Sequence, residues 1–106
     1  MADPDWQPAG SESDITDDQP LSATIGDKDI GIYRLNGQYY AIEDICPHAY
    51  AMLSQGFVMG EEIECPLHAA RFHIPTGKCT AEPGGRDLDT YPVKVENGQV
   101  FVKVRV

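Results

Sequence analysis

Cys46-Pro47-His48 and Cys65-Pro66-Leu67-His68 are two stretches built alike, and the rest of the chain is best read outward from them. Each supplies one thiol and one imidazole, each has proline directly after its cysteine, and sixteen residues, 49–64, separate them. Two soft thiolates with two borderline imidazoles make a four-ligand set. Such a set suits zinc or an iron-sulfur centre, and suits neither calcium nor magnesium, which take oxygen ligands. Zinc sites with mixed ligands usually draw both cysteines from one knuckle and both histidines from another. Here each knuckle is mixed. That arrangement suits a pair of irons, one bound by both cysteines and the other by both histidines, with each loop reaching both. A single zinc held by the same four side chains remains the other reading.

Around the knuckles the chain is rich in β-forming runs. Ile30-Gly-Ile-Tyr-Arg-Leu35 and Gln38-Tyr-Tyr-Ala-Ile-Glu43 meet at Asn36-Gly37, a dipeptide suited to a type I′ hairpin turn, and this hairpin leads into Cys46. The carboxyl end repeats the device: Tyr91-Pro-Val-Lys-Val95 and Gln99-Val-Phe-Val-Lys-Val-Arg-Val106 flank Asn97-Gly98. There Val100, Val102, Val104 and Val106 fall on one face, with Phe101, Lys103 and Arg105 on the other. Trp6-Gln7-Pro8 reads as the start of an edge strand, residues 10–20 as a polar loop, and Leu21-Ser-Ala-Thr-Ile25 as a strand before a Gly26-Asp27-Lys28-Asp29 turn. Arg71-Phe-His-Ile74 is a further strand, ending in a Pro75-Thr76-Gly77 turn. The only helical expectation is a short turn over residues 49–53, so the chain reads as all-β.

The pair Cys46-Pro-His48 and Cys65-Pro-Leu-His68 resembles the Rieske [2Fe-2S] motif, Cys-x-His followed by Cys-x-x-His. The likeness extends to Leu53-Ser54-Gln55-Gly56, Arg71-Phe72, Thr76-Gly77 and the Pro83-Gly84-Gly85 loop, and covers roughly residues 30–106. It implies one [2Fe-2S] cluster with Cys46, His48, Cys65 and His68 as cofactor-binding metal ligands. It also implies the Rieske iron-sulfur fold: antiparallel sheets or a sandwich carrying a small cluster-binding subdomain of two loops, about residues 45–59 and 64–77, in a single domain over 1–106. Pro83-Gly84-Gly85 corresponds to the family's proline loop and is expected to wall the cluster on a third side.

Two neutral imidazoles in place of two thiolates leave the oxidised centre uncharged, which eases reduction. Rieske potentials accordingly span about −150 to +300 mV, above all-cysteine ferredoxins. High-potential members brace the two loops with a disulfide, and they place hydroxyls two and four residues after the second histidine. At the cysteine positions this chain has Ala51 and Leu67, and at the hydroxyl positions Ala70 and Phe72. Hydrogen bonds to sulfur raise the potential. Their loss here predicts a midpoint near −150 mV, at the low end of the family's range.

Low potential, small size and no other cofactor resemble the ferredoxins of bacterial aromatic-ring-hydroxylating dioxygenases. The implied partners are a flavoprotein reductase fed by NADH and a terminal oxygenase, with the chain as a non-enzymatic electron carrier in aromatic hydrocarbon catabolism. The alternative is the Rieske-type small subunit of a larger oxidoreductase such as nitrite reductase, many of which lack the ligands. Docking is expected at the cluster end, because residues 45–59 contain no charged side chain and include Tyr50, Met52, Leu53, Phe57 and Met59. Of these, Leu53 and Phe57 are expected to pack beneath the cluster and Tyr50 to face solvent. Two departures from the family are Ala69-Ala70, where glycines are common, and His73, where aspartate is common; His73 is expected to be an ordinary strand histidine, and Cys79 a small apolar filler.

Bulk properties agree with a carrier. The chain has 106 residues and a net charge of −9, which speaks against nucleic acid as a partner. The acidic excess serves either solubility or steering toward a basic partner. Met1 to Asp29 holds eight acidic residues against the single Lys28. No apolar run approaches the roughly 18 residues of a membrane span, so no membrane role is expected. Three cysteines, two of them assigned to metal, argue against a disulfide scaffold and for the cytoplasm, and a monomer is expected.

Overall fold

The computed structural model describes residues 5–47, 51–67, 70–82 and 85–104. These residues form eleven strands: β1 (Trp6–Ser11), β2 (Leu21–Ile25), β3 (Lys28–Leu35), β4 (Gln38–Glu43), β5 (Phe57–Met59), β6 (Glu62–Glu64), β7 (Arg71–His73), β8 (Cys79–Ala81), β9 (Thr90–Tyr91), β10 (Val93–Glu96) and β11 (Gln99–Lys103). They make three antiparallel sheets, ordered β1-β11-β10, β2-β3-β4-β9 and β5-β6-β7-β8. The all-β expectation holds.

The β2-β3-β4-β9 sheet is the middle layer. Successive side chains on a strand point to opposite faces. On β3 and β4 one set, Ile30, Ile32 and Ala41, packs with Val100 and Val102 of β11; the alternate set, Tyr33, Leu35 and Ile42, packs with Leu53, Ile63 and Phe72 on the side of the knuckles. Because both faces are covered, β3 is buried without a break from Ile30 to Tyr33. One apolar core therefore binds the outer three-stranded sheet, and a second binds the β5-β6-β7-β8 sheet that carries the second knuckle.

Both Asn-Gly dipeptides form the expected turns. Asn36 and Gly37 have φ of 52° and 78°, and Asn97 and Gly98 have φ of 53° and 79°. Two consecutive positive φ values define type I′, whose twist matches the flanking strands. Val100, Val102 and Val104 are buried as their alternation requires; Arg105 and Val106 lie outside the described residues.

Three sequence expectations need correction. Residues 10–20 are not all loop: β1 continues through Gly10 and Ser11 against β11, with the register shifting between Pro8 and Gly10, and a short 3₁₀ turn follows at Glu12–Asp14. Long-range pairing overrides the local polar signal there. The turn after β2 is only Gly26-Asp27, since Lys28 already pairs with Ile25. The described helical turn lies at Leu53–Gln55, and Met52, within the turn expected over residues 49–53, is drawn instead into an antiparallel bridge with Ile45; residues 49 and 50 lie outside the described residues.

Candidate metal centre

Each cysteine occupies the last described rung of its own hairpin. Beyond β4 the backbone ladder continues: Leu53 N–H donates to the Asp44 carbonyl (2.6 Å), Ile45 bridges Met52, and Cys46 N–H donates to the Ala51 carbonyl (2.8 Å). In the second hairpin Glu64 of β6 faces Arg71 of β7, and Cys65 N–H donates to the Ala70 carbonyl (2.8 Å). The two closures are the same length, cysteine to the fifth residue on. Each encloses four residues in sequence, Pro47-His48-Ala49-Tyr50 and Pro66-Leu67-His68-Ala69. The family resemblance between the knuckles is thus a resemblance of backbone frames, anchored by ladder bonds that rigid strands supply.

Cys46 and Cys65 are each 1% exposed and belong to the same apolar core as Leu53, Ile63, Ala70 and Phe72. No disulfide joins any of the three cysteines. Two buried thiols, presented from matched rungs into one water-poor core, fit an iron-sulfur centre by donor chemistry as well as by placement. His48, His68 and Tyr50 lie outside the described residues, as do Pro83 and Gly84 of the expected third wall. Elsewhere among the described residues no group of three or more His, Cys, Asp or Glu side chains converges.

Acidic residues frame both hairpins. Glu64, directly before Cys65, pairs with Arg71 (Nε–Oε1 3.0 Å) across the β6-β7 ladder. Glu43, at the end of β4, accepts two parallel bonds from Arg86 (both 2.8 Å) and one from Asp89 N–H (2.7 Å). The Arg86 guanidinium, helped by the Asp89 amide and opposed by burial, holds the Glu43 carboxyl below the usual carboxylate range. This clamp fastens the segment following Gly85 to the strand that delivers Cys46. Asp44 is wholly buried and takes hydrogen bonds from Ser22 and Ser54. Sequence reading missed Glu43, Asp44 and Arg86, because their partners lie far away in the chain and no local pattern marks them.

Other expectations divide. Leu53 is buried under the site as expected, but Phe57 is not: it is 58% exposed, since Phe57 and Met59 lie on the face of the β5-β6-β7-β8 sheet that carries Glu62, Glu64 and Arg71 and is turned away from the core. Val58, between them, packs on the core. His73 is a strand histidine whose Nδ1 lies 2.8 Å from Thr76 Oγ1 and whose Nε2 lies 3.1 Å from Glu61. Cys79 is half-buried against the core, with its sulfur 3.6 Å from the Ala81 carbonyl. Ala70 and Phe72 are fully buried and bring no hydroxyl to the core, while Ala51 and Leu67 bring no sulfur.

Residues 5–92 match the family described as the Rieske [2Fe-2S] domain, and the chain belongs to that family. Among its relatives, the ferredoxin component of the naphthalene 1,2-dioxygenase/salicylate 5-hydroxylase systems of a Ralstonia species is 40% identical over 99 residues, 93% of this chain and 95% of that protein. Among solved structures, the ferredoxin in the complex of reduced oxygenase and oxidized ferredoxin in carbazole 1,9a-dioxygenase is 32% identical with a TM-score of 0.85, over 95% of this chain and 94% of that one. A putative NADH-dependent nitrite reductase small subunit from Mycobacterium tuberculosis, at 21% identity and a TM-score of 0.80 over 95% of this chain and 96% of that one, shares the fold. Among the described residues no helix is long and apolar enough to cross a membrane.

Proposed function

We propose that the chain is an electron-transfer ferredoxin of an aromatic-ring-hydroxylating dioxygenase system. It carries single electrons from an NADH-dependent flavoprotein reductase to a terminal oxygenase. One [2Fe-2S] cluster is held by Cys46, His48, Cys65 and His68. The observation that carries this reading is the pair of matched hairpin rungs that bring Cys46 and Cys65 into one buried core. When bound, the cluster takes up and releases one electron at a time, at a potential lifted by imidazole ligation.

The protein's own part is to hold, shield and present. Leu53, Ile63 and Phe72 exclude water from beneath the cysteines. The absence of hydroxyls at Ala70 and Phe72 leaves the sulfur side without side-chain donors at those places and keeps the potential low. Presentation follows from the surface: the exposed large hydrophobics among the described residues are Phe57, Met59 (44%) and Leu67 (64%), all in the knuckle-bearing part of the fold and none on the outer sheet. An apolar rim beside a redox centre suits brief, repeated contact with both partners. The carrier works as a single-domain cytoplasmic monomer that transforms no substrate. The nitrite reductase reading has a shared fold alone in its favour.

Purification of the full chain tests this directly. Two irons and two acid-labile sulfides per chain are expected, with an electron paramagnetic resonance signal after dithionite of lower average g than an all-cysteine cluster gives. Reduction by a flavoprotein reductase and reoxidation by an oxygenase should follow. A colourless protein with one zinc and no sulfide rejects the reading.

A further inference from the structure

We propose that the buried carboxylate of Asp44 sets the midpoint potential of the cluster by its charge, as a fixed anion at the root of the first hairpin. The inference rests on the reading of Cys46 as a cluster ligand. Asp44 is the only charged residue wholly buried among the described residues, at 0% exposure. Its carboxylate receives three hydrogen bonds: Ser54 N–H to Oδ1, and the hydroxyls of Ser22 and Ser54 to Oδ2, each 2.8 Å. All three donors are neutral. They solvate a negative charge without cancelling it.

The other two acidic residues at the hairpin roots differ in just this respect. Glu43 is paired with Arg86 and Glu64 with Arg71, so each carries its counter-charge with it. No lysine, arginine or histidine makes an ion pair with Asp44 among the described residues. The root of the two hairpins therefore holds one uncompensated anion. Its placement puts it on the cysteine's face. Asp44, Ile45 and Cys46 are extended and laddered to residues 51–53, so Asp44 and Cys46 share one face while Ile45 takes the other. Both shared-face residues are buried, and alternate side chains on such a segment are only about 7 Å apart. At that range, in a water-poor core, a unit negative charge opposes the arrival of an electron.

The neighbour across the root responds to the same charge. Tyr33 is buried and its phenol titrates well above the usual range, first through burial and then through the charge of Asp44. Among the described residues its hydroxyl has no hydrogen-bond partner, so it adds no fourth donor to the carboxylate. Gly31 lies between the two groups: a Cβ there would meet Asp44 Oδ1 and Tyr33 Cε1, both at 3.1 Å. The absence of a side chain at residue 31 is what lets ring and carboxylate close over that strand.

Asp44→Asn separates charge from shape. The amide oxygen can accept Ser54 N–H, and the amide nitrogen can donate to the two hydroxyls, which rotate to accept. Midpoint potentials of the full chain are read by dithionite titration followed by electron paramagnetic resonance. Asp44→Asn is expected to raise the reduction equilibrium constant at least threefold, about 28 mV at 59 mV per decade for one electron, with wild-type g values. Ser22→Ala and Ser54→Ala remove donors and keep the charge, so they are expected to leave the potential unchanged or lower it. An unchanged potential in Asp44→Asn overturns the proposal. So does an equal rise in either serine variant, a rise accompanied by shifted g values, or failure of Asp44→Asn to assemble a cluster, each of which places the role in geometry. Absence of the cluster signal from the wild-type chain would instead reject the ligand reading beneath it.

Discussion

Gly56 lies flush against the main-chain carbonyl of Glu64, so that a Cβ on residue 56 would overlap that oxygen. Its φ of −86° is not in the left-handed region, and what excludes a side chain is the space that the carbonyl takes. The contact sets the first hairpin's exit, where Gly56 N–H closes the 3₁₀ turn on Leu53, against the strand that ends one residue before Cys65. Gly56→Ala must push these apart. A destabilisation of about 1–3 kcal/mol is expected, the usual cost of forcing extra atoms into packed structure. Denaturant melts of variant and wild type would read it, and equal midpoints would show that the Glu64 strand yields freely.

The Glu43–Arg86 clamp predicts a loss of stability in acid. Because the folded-state pKa of Glu43 is depressed, mainly by Arg86, its contribution is present above the unfolded carboxyl's range and is lost as pH falls through the folded value. Arg86 is half exposed, so solvent screening limits the pair to about 0.5–1 kcal/mol. Glu43→Gln should therefore be less stable than wild type at pH 7 and converge with it below the ordinary carboxylate range. Parallel melting curves across the whole pH range would contradict this.

Local pattern carried much of the architecture, and long-range contact carried the rest. The Asn36-Gly37 and Asn97-Gly98 turns and the valine alternation of β11 could be read because turn chemistry and strand period act between neighbours. The matched knuckles could be read because ligand types and spacing are written in the chain. Phe57 is expected beneath the cluster although Phe57-Val58-Met59 alternates visibly: Val58 takes the core face with Ile63 and Phe72, and Phe57 shares the open face of the sheet with Glu64 and Arg71, a choice of face that no short window states. Glu43–Arg86 and Asp44–Ser22 span 43 and 22 positions, and no window of sequence contains both ends.

Removal of any one proposed ligand should empty the site. His48→Ala or Cys65→Ser deletes one of four side chains, and loss of iron, sulfide and visible colour is expected in both. Cys79→Ser, which touches the edge of the core from β8, should keep full iron and sulfide. Iron and sulfide assays on the three purified variants decide it, and a loaded His48→Ala chain would count against the ligand set.

Hydroxyls restored to the core should raise the potential from its low value. Phe72 is fully buried among the residues that surround both cysteines, and Phe72→Tyr adds a donor to that shell, as Ala70→Ser does. Donors to sulfur favour the reduced state. The wild-type midpoint is expected near −150 mV, with both variants more positive. A wild-type value above +100 mV would show that this chain finds its donors elsewhere.

Docking and redox tuning are separable at Phe57. The side chain is 58% exposed on the outer edge of β5, and its neighbour Val58 rather than Phe57 supports the core. Phe57→Ser should therefore leave the midpoint and the electron paramagnetic resonance signal as in wild type. It should slow electron delivery to the oxygenase severalfold, since an apolar contact side chain is lost from a small transient interface. Ionic strength supplies the second axis. With a net charge of −9, steering toward a basic partner makes delivery fall as salt rises, whereas a charge that serves solubility alone gives a flat profile. Stopped-flow transfer rates for wild type and Phe57→Ser, each across a salt series, measure both effects. Wild-type transfer rates in Phe57→Ser at every salt concentration would remove β5 from the docking surface.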